Sequence, residues 1–359
     1  MATYKVGLIG AQRGAGLVSQ FEVHPDTEIT ALCDLNETRL AGAAEEFKVP
    51  DSGLFTSYDK FLDAPIDVVV IGTPIQLHAE QAIKAMESGK HVLSEVTAAW
   101  TIEECGQIVD SVKKTGRTYM LAENMCYLHY IREWKEWITQ GRIGDIFYAE
   151  SEYIHDIRHL LWDEESGEAF WRLERPPIYY CTHSLGPLLM LMDDRVVRTT
   201  CAHAGYSVAP NRGPSCLNME VALFETQKGA VIKILRSQVA PREPGMHYYS
   251  LYGTKGFVEN DHGNGWHGGK GKLFIEGEMD EYEVIDCPNA DPNATPDQLR
   301  GGHGSCEYYL IQDFVQALQT NSRPAIDVIR GMDFTVPGIC AHESAMNRGE
   351  WVDVPHFEW

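Results

Sequence analysis

The segment 179–187 reads Tyr-Tyr-Cys-Thr-His-Ser-Leu-Gly-Pro and packs two phenols, a hydroxyl and an imidazole into its first five positions. These are groups that can give and take protons. The segment runs into Leu188-Leu189-Met190-Leu191-Met192, an apolar run that predicts a buried helix with Thr182 or His183 in its first turn. Free N–H groups and the positive end of the helix dipole lie there, so the position favours anionic species. The competing reading makes Tyr179 and Tyr180 core aromatics and His183 a capping histidine. The first half of the chain weighs against it.

That half opens with a short apolar strand over 5–9, a glycine-rich turn over 10–16 and a helical stretch to about 23. A second strand, 28–33, ends in Asp34, about twenty residues past the turn, where a carboxylate binds both ribose hydroxyls of an adenosine. This predicts NAD over NADP, held by Gly10, Gln12, Arg13, Gly14, Asp34 and Arg39. The alternative for Asp34 is a cap on the next helix. The turn departs from G-x-G-x-x-G, with Gln12 at the second glycine and the last glycine one residue late, at Gly16.

Strand–helix alternation continues with a helix over 37–47, a strand over 67–71, a helix over 77–88, a strand over 91–94, a helix over 102–115 and a strand over 119–121. Such units build a doubly wound parallel sheet whose ligand crevice lies at the C-terminal strand ends. Thr73, Pro74, His78, Glu95 and Asn124 fall at or just past those ends and complete this half's expected cofactor contacts. Tyr127 follows three residues after Asn124.

Past about residue 125 the pattern changes to successive strands, over 147–155, 196–207, 217–226, 230–238, 247–252, 273–276 and 282–286. Two late helices are expected over 307–319 and 328–347, and two Gly/Pro/Asn-rich stretches, 260–272 and 288–305, read as long irregular loops. The expected architecture is α/β: a Rossmann domain over 1–124, then an α+β domain over 125–359 with a mostly antiparallel sheet for substrate binding and oligomerisation.

With 359 residues and 44% hydrophobic content the chain can fill two cores, and a net charge of −22 argues against nucleic acid or an anionic membrane surface as partner. Nine cysteines without a CxxC pair read as reduced thiols. No leader pattern and no apolar run of about eighteen residues is visible, which points to the cytoplasm. His155, Asp156, His159, His262 and His267 form no recognised ligand spacing, so no metal is expected. Trp266, in a glycine-rich stretch, is a candidate to stack on a sugar face or to lie in an interface.

The N-terminal Lys5–Gly10 run, Asp34, the stretch from Thr73 to Val92, Trp171-Arg172 and the closing segment from Arg323 resemble the Gfo/Idh/MocA oxidoreductases over essentially the whole chain. Where that family has Glu-Lys-Pro, this chain reads Glu95-Val96-Thr97, without the lysine used in sugar-alcohol dehydrogenation. A narrower resemblance fits better. The run from Gly89 to Cys105, Glu123-Asn124 with Tyr127, the segment from Tyr153 to Arg158, Thr182–Pro187 and His303-Gly304 are similar to the NAD-dependent glycosidases of glycoside hydrolase family 109.

That resemblance implies a bound NAD that oxidises the sugar at C3, loss of the acidified C2 proton, elimination of the aglycone, addition of water and re-reduction. The net result is hydrolysis. His183, with an ordinary pKa of about 6.5, suits the 3-hydroxyl proton, while Tyr127 or Tyr180 would take the C2 proton if a cation such as Arg158 or the nicotinamide lowered its pKa. Glu95 would orient the nicotinamide ribose or a sugar hydroxyl. His155, Arg158, Tyr180, His183 and Tyr249 are the expected sugar contacts, and Trp171 and Arg172 add to the cofactor contacts. The alternatives are a sugar or glycoside 3-dehydrogenase that releases a 3-keto product, and a non-enzymatic NAD sensor. The resemblance also implies a homodimer or homotetramer.

Overall fold

Residues 68–71, Val-Val-Val-Ile, are apolar on both faces and wholly buried, which only a strand covered by helices on two sides requires. The protein is described by a computed structural model covering residues 3–12, 14–263 and 268–359. The first elements are β1 (Tyr4–Ile9), α1 (Gly14–Val23), β2 (Thr27–Cys33), α2 (Glu37–Phe47), β3 (Leu54–Phe55), α3 (Tyr58–Leu62), β4 (Val68–Ile71), α4 (His78–Glu87), β5 (His91–Ser94), α5 (Ile102–Thr115) and β6 (Tyr119–Leu121). Among the described residues the sheet runs β3-β2-β1-β4-β5-β6, all parallel, with the strand order reversing at β1. The helix boundaries follow local chemistry. Thr101 and Glu104 form a reciprocal capping box before α5, and Gly116 ends that helix in the left-handed region that glycine tolerates best. Asn36 caps α2 by accepting from the Arg39 N–H, so Asp34 is free of that duty.

The second half comprises α6 (His129–Thr139), β7 (Ile146–Ile154), α7 (Thr182–Met192), β8 (Val196–His203), β9 (Glu220–Thr226), β10 (Val231–Ser237), β11 (Met246–Gly253), β12 (Gly256–Asn260), β13 (Gly268–Ile275), β14 (Glu283–Pro288), α8 (Cys306–Thr320), α9 (Val328–Met346) and β15 (Val352–Asp353). The order β14-β13-β12-β11-β7-β10-β9-β8-β15 is antiparallel at every neighbouring pair except β7–β10. The alternation of β9, buried at Glu220, Ala222 and Phe224 and open at Val221 and Leu223, is the period-two signature of a sheet with one covered face. α7 packs on that covered face against β7 and β11.

Several expectations change. α6 occupies 129–139, ahead of the first expected strand at 147, where no element was expected; its buried Tyr130, Ile131 and Trp134 follow helical spacing. The 260–272 stretch is strand at its two ends: β12 ends at Asn260, and Gly268–Ile275 pairs on both sides although its glycines carry no side-chain pattern. The ladder replaces that pattern, and a Cβ on Gly271 would lie 2.4 Å from the Glu259 carbonyl oxygen. The strand begun at Val196 stops at His203. The compact units also differ from a division at 124/125. One comprises 1–124, 293–332 and 357–359, the other 125–292 and 333–356. Among the described residues no helix is long and apolar enough to cross a membrane.

Candidate active site

In the first unit the dinucleotide turn is shaped by three glycines that exclude side chains from one another. Gly10 has φ +91 and its Cβ would lie 2.6 Å from the Gly72 backbone; a Cβ on Gly14 would meet Leu8 Cδ1 at 2.4 Å; one on Gly72 would meet Gly14 Cα at 2.7 Å. The late Gly16 has a different cause, because a Cβ there would lie 3.1 Å from the Gly301 carbonyl oxygen. The segment before Gly301 is tied to α1 as well. Gln20 Nε2 donates to the Asp297 and Arg300 carbonyls at 3.0 and 2.7 Å, and Arg300 pairs with Glu22 at 2.9 Å.

Asp34 accepts from the Ala11 N–H at 2.9 Å through one carboxylate oxygen and from the Asn36 N–H at 2.8 Å through the other. Each oxygen keeps a lone pair for a ribose hydroxyl. Gln12 and Arg39 are exposed beside this turn, and so is Leu35, which no sequence signal singled out. Arg13 lies outside the described residues. Thr73 donates from its hydroxyl to Gln81 at 2.6 Å, next to Pro74 at the head of a 3-10 turn. His78 is buried, with its two ring nitrogens 2.8 Å from the Thr73 and Thr97 carbonyl oxygens. Burial lowers its pKa, which the two carbonyls oppose without reversing. Glu95 follows the end of β5, and its carboxylate accepts from the Val96 N–H at 3.3 Å. Asn124, past β6, donates to Glu307 at 3.1 Å. These donors, acceptors and glycine clearances at the C-terminal strand ends fit NAD.

In the second unit strand register assembles a polar row. His203, Glu220, Arg236, Tyr153 and His247 occupy directly opposed positions on β8, β9, β10, β7 and β11, so their side chains share one face. The guanidinium of Arg236 lies 3.9 Å from the centre of the Tyr153 ring, and His247 stacks on the same ring at 3.8 Å. Two groups that close must occupy opposite faces. The Tyr153 hydroxyl meets His155 Nδ1 at 3.1 Å.

His183 reaches this row from the first turn of α7, its ring 5.9 Å from both Tyr153 and His247 and 4.8 Å from Tyr180. Its backbone is held by an unusual contact. Pro187 has no N–H to give the His183 carbonyl four residues back, and the Tyr249 hydroxyl donates to that oxygen instead, at 2.5 Å. Tyr249, expected as a sugar contact, is wholly buried in this supporting position.

The neighbouring tyrosines of the 179–187 segment meet opposite fields. Tyr179 lies edge-on to His342, and burial followed by the charge of Glu220 raises its pKa. Tyr180 lies under the guanidinium of Arg175 at 4.1 Å, with Arg236 at 5.8 Å. Both arginines are buried, and burial pulls both pKa values down, Arg175 to about 9, which leaves it charged at neutral pH. Arg175 Nη2 donates to Gln238 Oε1, Arg236 Nη1 donates to the Tyr153 and Ser237 carbonyls, and the Nε of each is without an acceptor among the described residues. Glu220 accepts from the Ile178 N–H at 2.8 Å and faces His342 Nδ1 at 2.7 Å.

Arg158, expected as the cation near a phenol, forms a two-pronged pair with Asp156, Nη2 to Oδ2 at 2.6 Å and Nε to Oδ1 at 2.9 Å. Trp171 and Arg172 lie in the second unit, with the Arg172 guanidinium 4.5 Å from the Trp171 ring. Tyr127 is buried in a 3-10 turn, Asn124–Tyr127. Sequence reading missed Arg175, Arg236, His247 and Tyr153 as site residues. Tyr153 and His247 stood in segments already marked as strands, and pairing those strands would have found them. Trp266 and His267 lie outside the described residues, and among those described no group of three or more His, Cys, Asp or Glu side chains is placed to hold a metal.

The NAD-binding Rossmann profile of an oxidoreductase family matches residues 4–123, and the profile of that family's C-terminal alpha/beta domain matches 135–354. Among curated relatives, Glycosyl hydrolase family 109 protein 1 of Shewanella sp. (strain MR-4) is 30% identical over 99% of this chain and 85% of its own. An alpha-N-acetylgalactosaminidase of Shewanella oneidensis is 29% identical with the same coverage. Among solved structures, levoglucosan dehydrogenase in complex with NADH and L-sorbose superposes with a TM-score of 0.83 at 21% identity, covering 99% of this chain and all of the other. The chain belongs to the Gfo/Idh/MocA oxidoreductase family and is an NAD-dependent enzyme.

Proposed function

We propose that the enzyme hydrolyses glycosides by transient oxidation at C3, deprotonation at C2 and elimination of the aglycone. The observation that carries this reading is Tyr180 beneath the charged, buried Arg175 and beside His183. An oxidoreductase needs one proton acceptor, for the hydroxyl it oxidises; an eliminating glycosidase needs a second, for carbon. His183 and Tyr180 supply both, and the lysine the wider family uses is replaced by Val96. Family 109 names among the full-length relatives agree with this reading.

When bound, NAD supplies a reversible two-electron oxidation of the sugar carbinol. Gly10, Gly14, Asp34, Thr73, Glu95 and Asn124 would hold it. His183 takes the 3-hydroxyl proton. Tyr180, whose phenolate Arg175 stabilises, takes the C2 proton once C3 is a ketone; electrons from the C2–H bond form the C1–C2 double bond as the bond to the aglycone oxygen breaks. Water then adds at C1, C2 regains a proton, and His183 returns the proton to O3. His155, which meets the Tyr153 hydroxyl, and Arg158 bind sugar oxygens.

Aryl glycosides test the reading. Phenol release without accumulating NADH, and deuterium at C2 of sugar released in heavy water, are the expected results. NADH in proportion to substrate with the glycosidic bond intact would make the enzyme a glycoside 3-dehydrogenase. A product without deuterium at C2 would return Glu95 and other acids to consideration as paired glycosidase carboxylates. We further propose assembly as a homodimer or dimer of dimers through the open sheet face, where Val221, Leu223 and Tyr252 are exposed. A monomeric mass by light scattering would overturn that.

A further inference from the structure

Glu307, at the start of α8, is 3% exposed and belongs to none of the motifs of a dinucleotide fold. One carboxylate oxygen, Oε1, is taken up by two donors of the first unit. His303 Nδ1 lies 2.6 Å from it and the side-chain N–H of Asn124 donates to it at 3.1 Å. The other oxygen, Oε2, is buried with no hydrogen-bond partner among the described residues, and so is Asn124 Oδ1. Two buried acceptors without donors among the described residues, on side chains already bonded to each other, are costly to leave unmade.

Their place in the fold says what would supply the donors. Asn124 follows β6 at the C-terminal edge of the parallel sheet, where this architecture binds its ligand. From the other side, Gly301 separates Glu307 from the dinucleotide turn. Its carbonyl closes on Gly16 of α1, and a Cβ on it would lie 2.8 Å from Glu307 Cγ. With φ +111 and no room for a side chain, Gly301 lets its backbone pack between Glu307 and Gly16 of α1, which places the carboxylate on the ligand-binding edge of the first unit.

We infer that Glu307 is a cofactor-binding residue whose Oε2, together with Asn124 Oδ1, forms a two-acceptor site for N–H or O–H donors on the nicotinamide-riboside half of NAD. His303 is its positioning residue. Because Asn124 spends its N–H on Glu307, its amide is fixed with the oxygen outward. The carboxamide NH2 and the nicotinamide-ribose hydroxyls share the required chemistry.

Calorimetry on protein stripped of cofactor tests this without any turnover. Glu307→Gln presents an N–H where Oε2 stood, donor against donor, and should weaken NAD at least tenfold while AMP, which lacks the nicotinamide half, binds as before. His303→Ala should weaken NAD less, because it loosens the carboxylate without changing its chemistry. The 3-acetylpyridine analogue of NAD, which has no carboxamide N–H, separates the two donors. If Glu307→Gln still weakens the analogue tenfold, the donors are ribose hydroxyls; if the loss disappears, they belong to the carboxamide. Unchanged NAD affinity in Glu307→Gln overturns the inference, and so does an equal loss for NAD and AMP. The inference rests on NAD binding and not on glycoside cleavage, so a negative result with aryl glycosides leaves it standing.

Discussion

The two units bury opposite kinds of polar surface. Among the described residues, the first unit leaves acceptors without partners around Asn124 and Glu307, while the second leaves guanidinium N–H donors without partners around Arg175 and Arg236. Pairing differs too. Glu307 has an imidazole and an amide on one oxygen, whereas each buried arginine lies over a phenol and bonds to neutral oxygens. An acceptor-rich pocket suits a cofactor that brings hydroxyl and amide N–H groups. A donor-rich, cationic one suits chemistry in which a phenol must hold negative charge. Neither cluster is therefore built for stability alone, since burying an unpaired charge costs more than a well-packed apolar side chain would.

Removing His183 should break the second cluster most completely. His183→Ala is expected to abolish reduction of bound NAD by substrate, a loss of at least a hundredfold, measured as NADH absorbance in single-turnover experiments. Tyr180→Phe should leave that reduction intact and stop aglycone release, so that NADH accumulates. If Tyr127→Phe does this instead, the C2 base is Tyr127 and the cation over Tyr180 has another purpose.

Arg175→Met separates catalysis from stability. A buried charge is removed, and folding loses the donor to Gln238 and the cation over the Tyr180 ring, about 1–2 kcal/mol or a few degrees in Tm. Activity should fall about a hundredfold. Without the cation the phenol ionises only at higher pH, so the rising limb of the pH–rate profile should move upward. A large loss of Tm with an unmoved pH profile would make Arg175 structural.

How far each cluster could be read from sequence follows from how it is built. The Rossmann half is local: strand, turn and helix lie within about thirty residues, so Gly10, Gly14 and Asp34 announce themselves. α2 and α5 even carry their caps in sequence, Asn36 and Thr101 with Glu104. The polar row is non-local. Arg236, Tyr153 and His247 come from three strands whose pairing no window of sequence reveals, and Arg175 reaches Tyr180 across a short turn that has no period. Gly16 was legible as a departure, but its cause, the Gly301 carbonyl, lies nearly three hundred positions away. Glu307 was invisible for the same reason, and α6 raised no expectation because its aromatic residues suit either element.

A smaller effect is expected at Asp34, where the first unit's selectivity resides. A 2′-phosphate would meet its carboxylate, so NAD should bind far better than NADP. Asp34→Ala should narrow that gap about tenfold or more by calorimetry. It should also weaken NAD somewhat, because the Ala11 N–H loses the acceptor that holds the turn. Equal affinity of the unaltered enzyme for both cofactors would remove Asp34 from the site.

The smallest expected effect concerns stability, and it tests whether the first unit tolerates positive charge as the second does. His91 opens β5 with Nδ1 accepting from the Thr118 N–H at 3.0 Å, so the ring must be neutral there. Burial first, then the charge of Arg117, lowers its pKa to about 4. The unfolded chain takes up this proton near pH 6.5 and the folded one only near 4, so the unfolded state binds more protons in that window. Stability is therefore complete above about pH 6.5 and declines as the pH falls toward about 4. With solvent screening of this partly exposed ring, the loss is roughly 1–2 kcal/mol. His91→Gln keeps an acceptor for Thr118 but cannot take up the proton, so unfolding free energies measured in urea should fall less steeply across this range. His78, buried and likewise lowered, keeps the slope from vanishing. An unchanged slope in His91→Gln would show that His91 is protonated in the folded protein, and that the first unit also accommodates a buried cation.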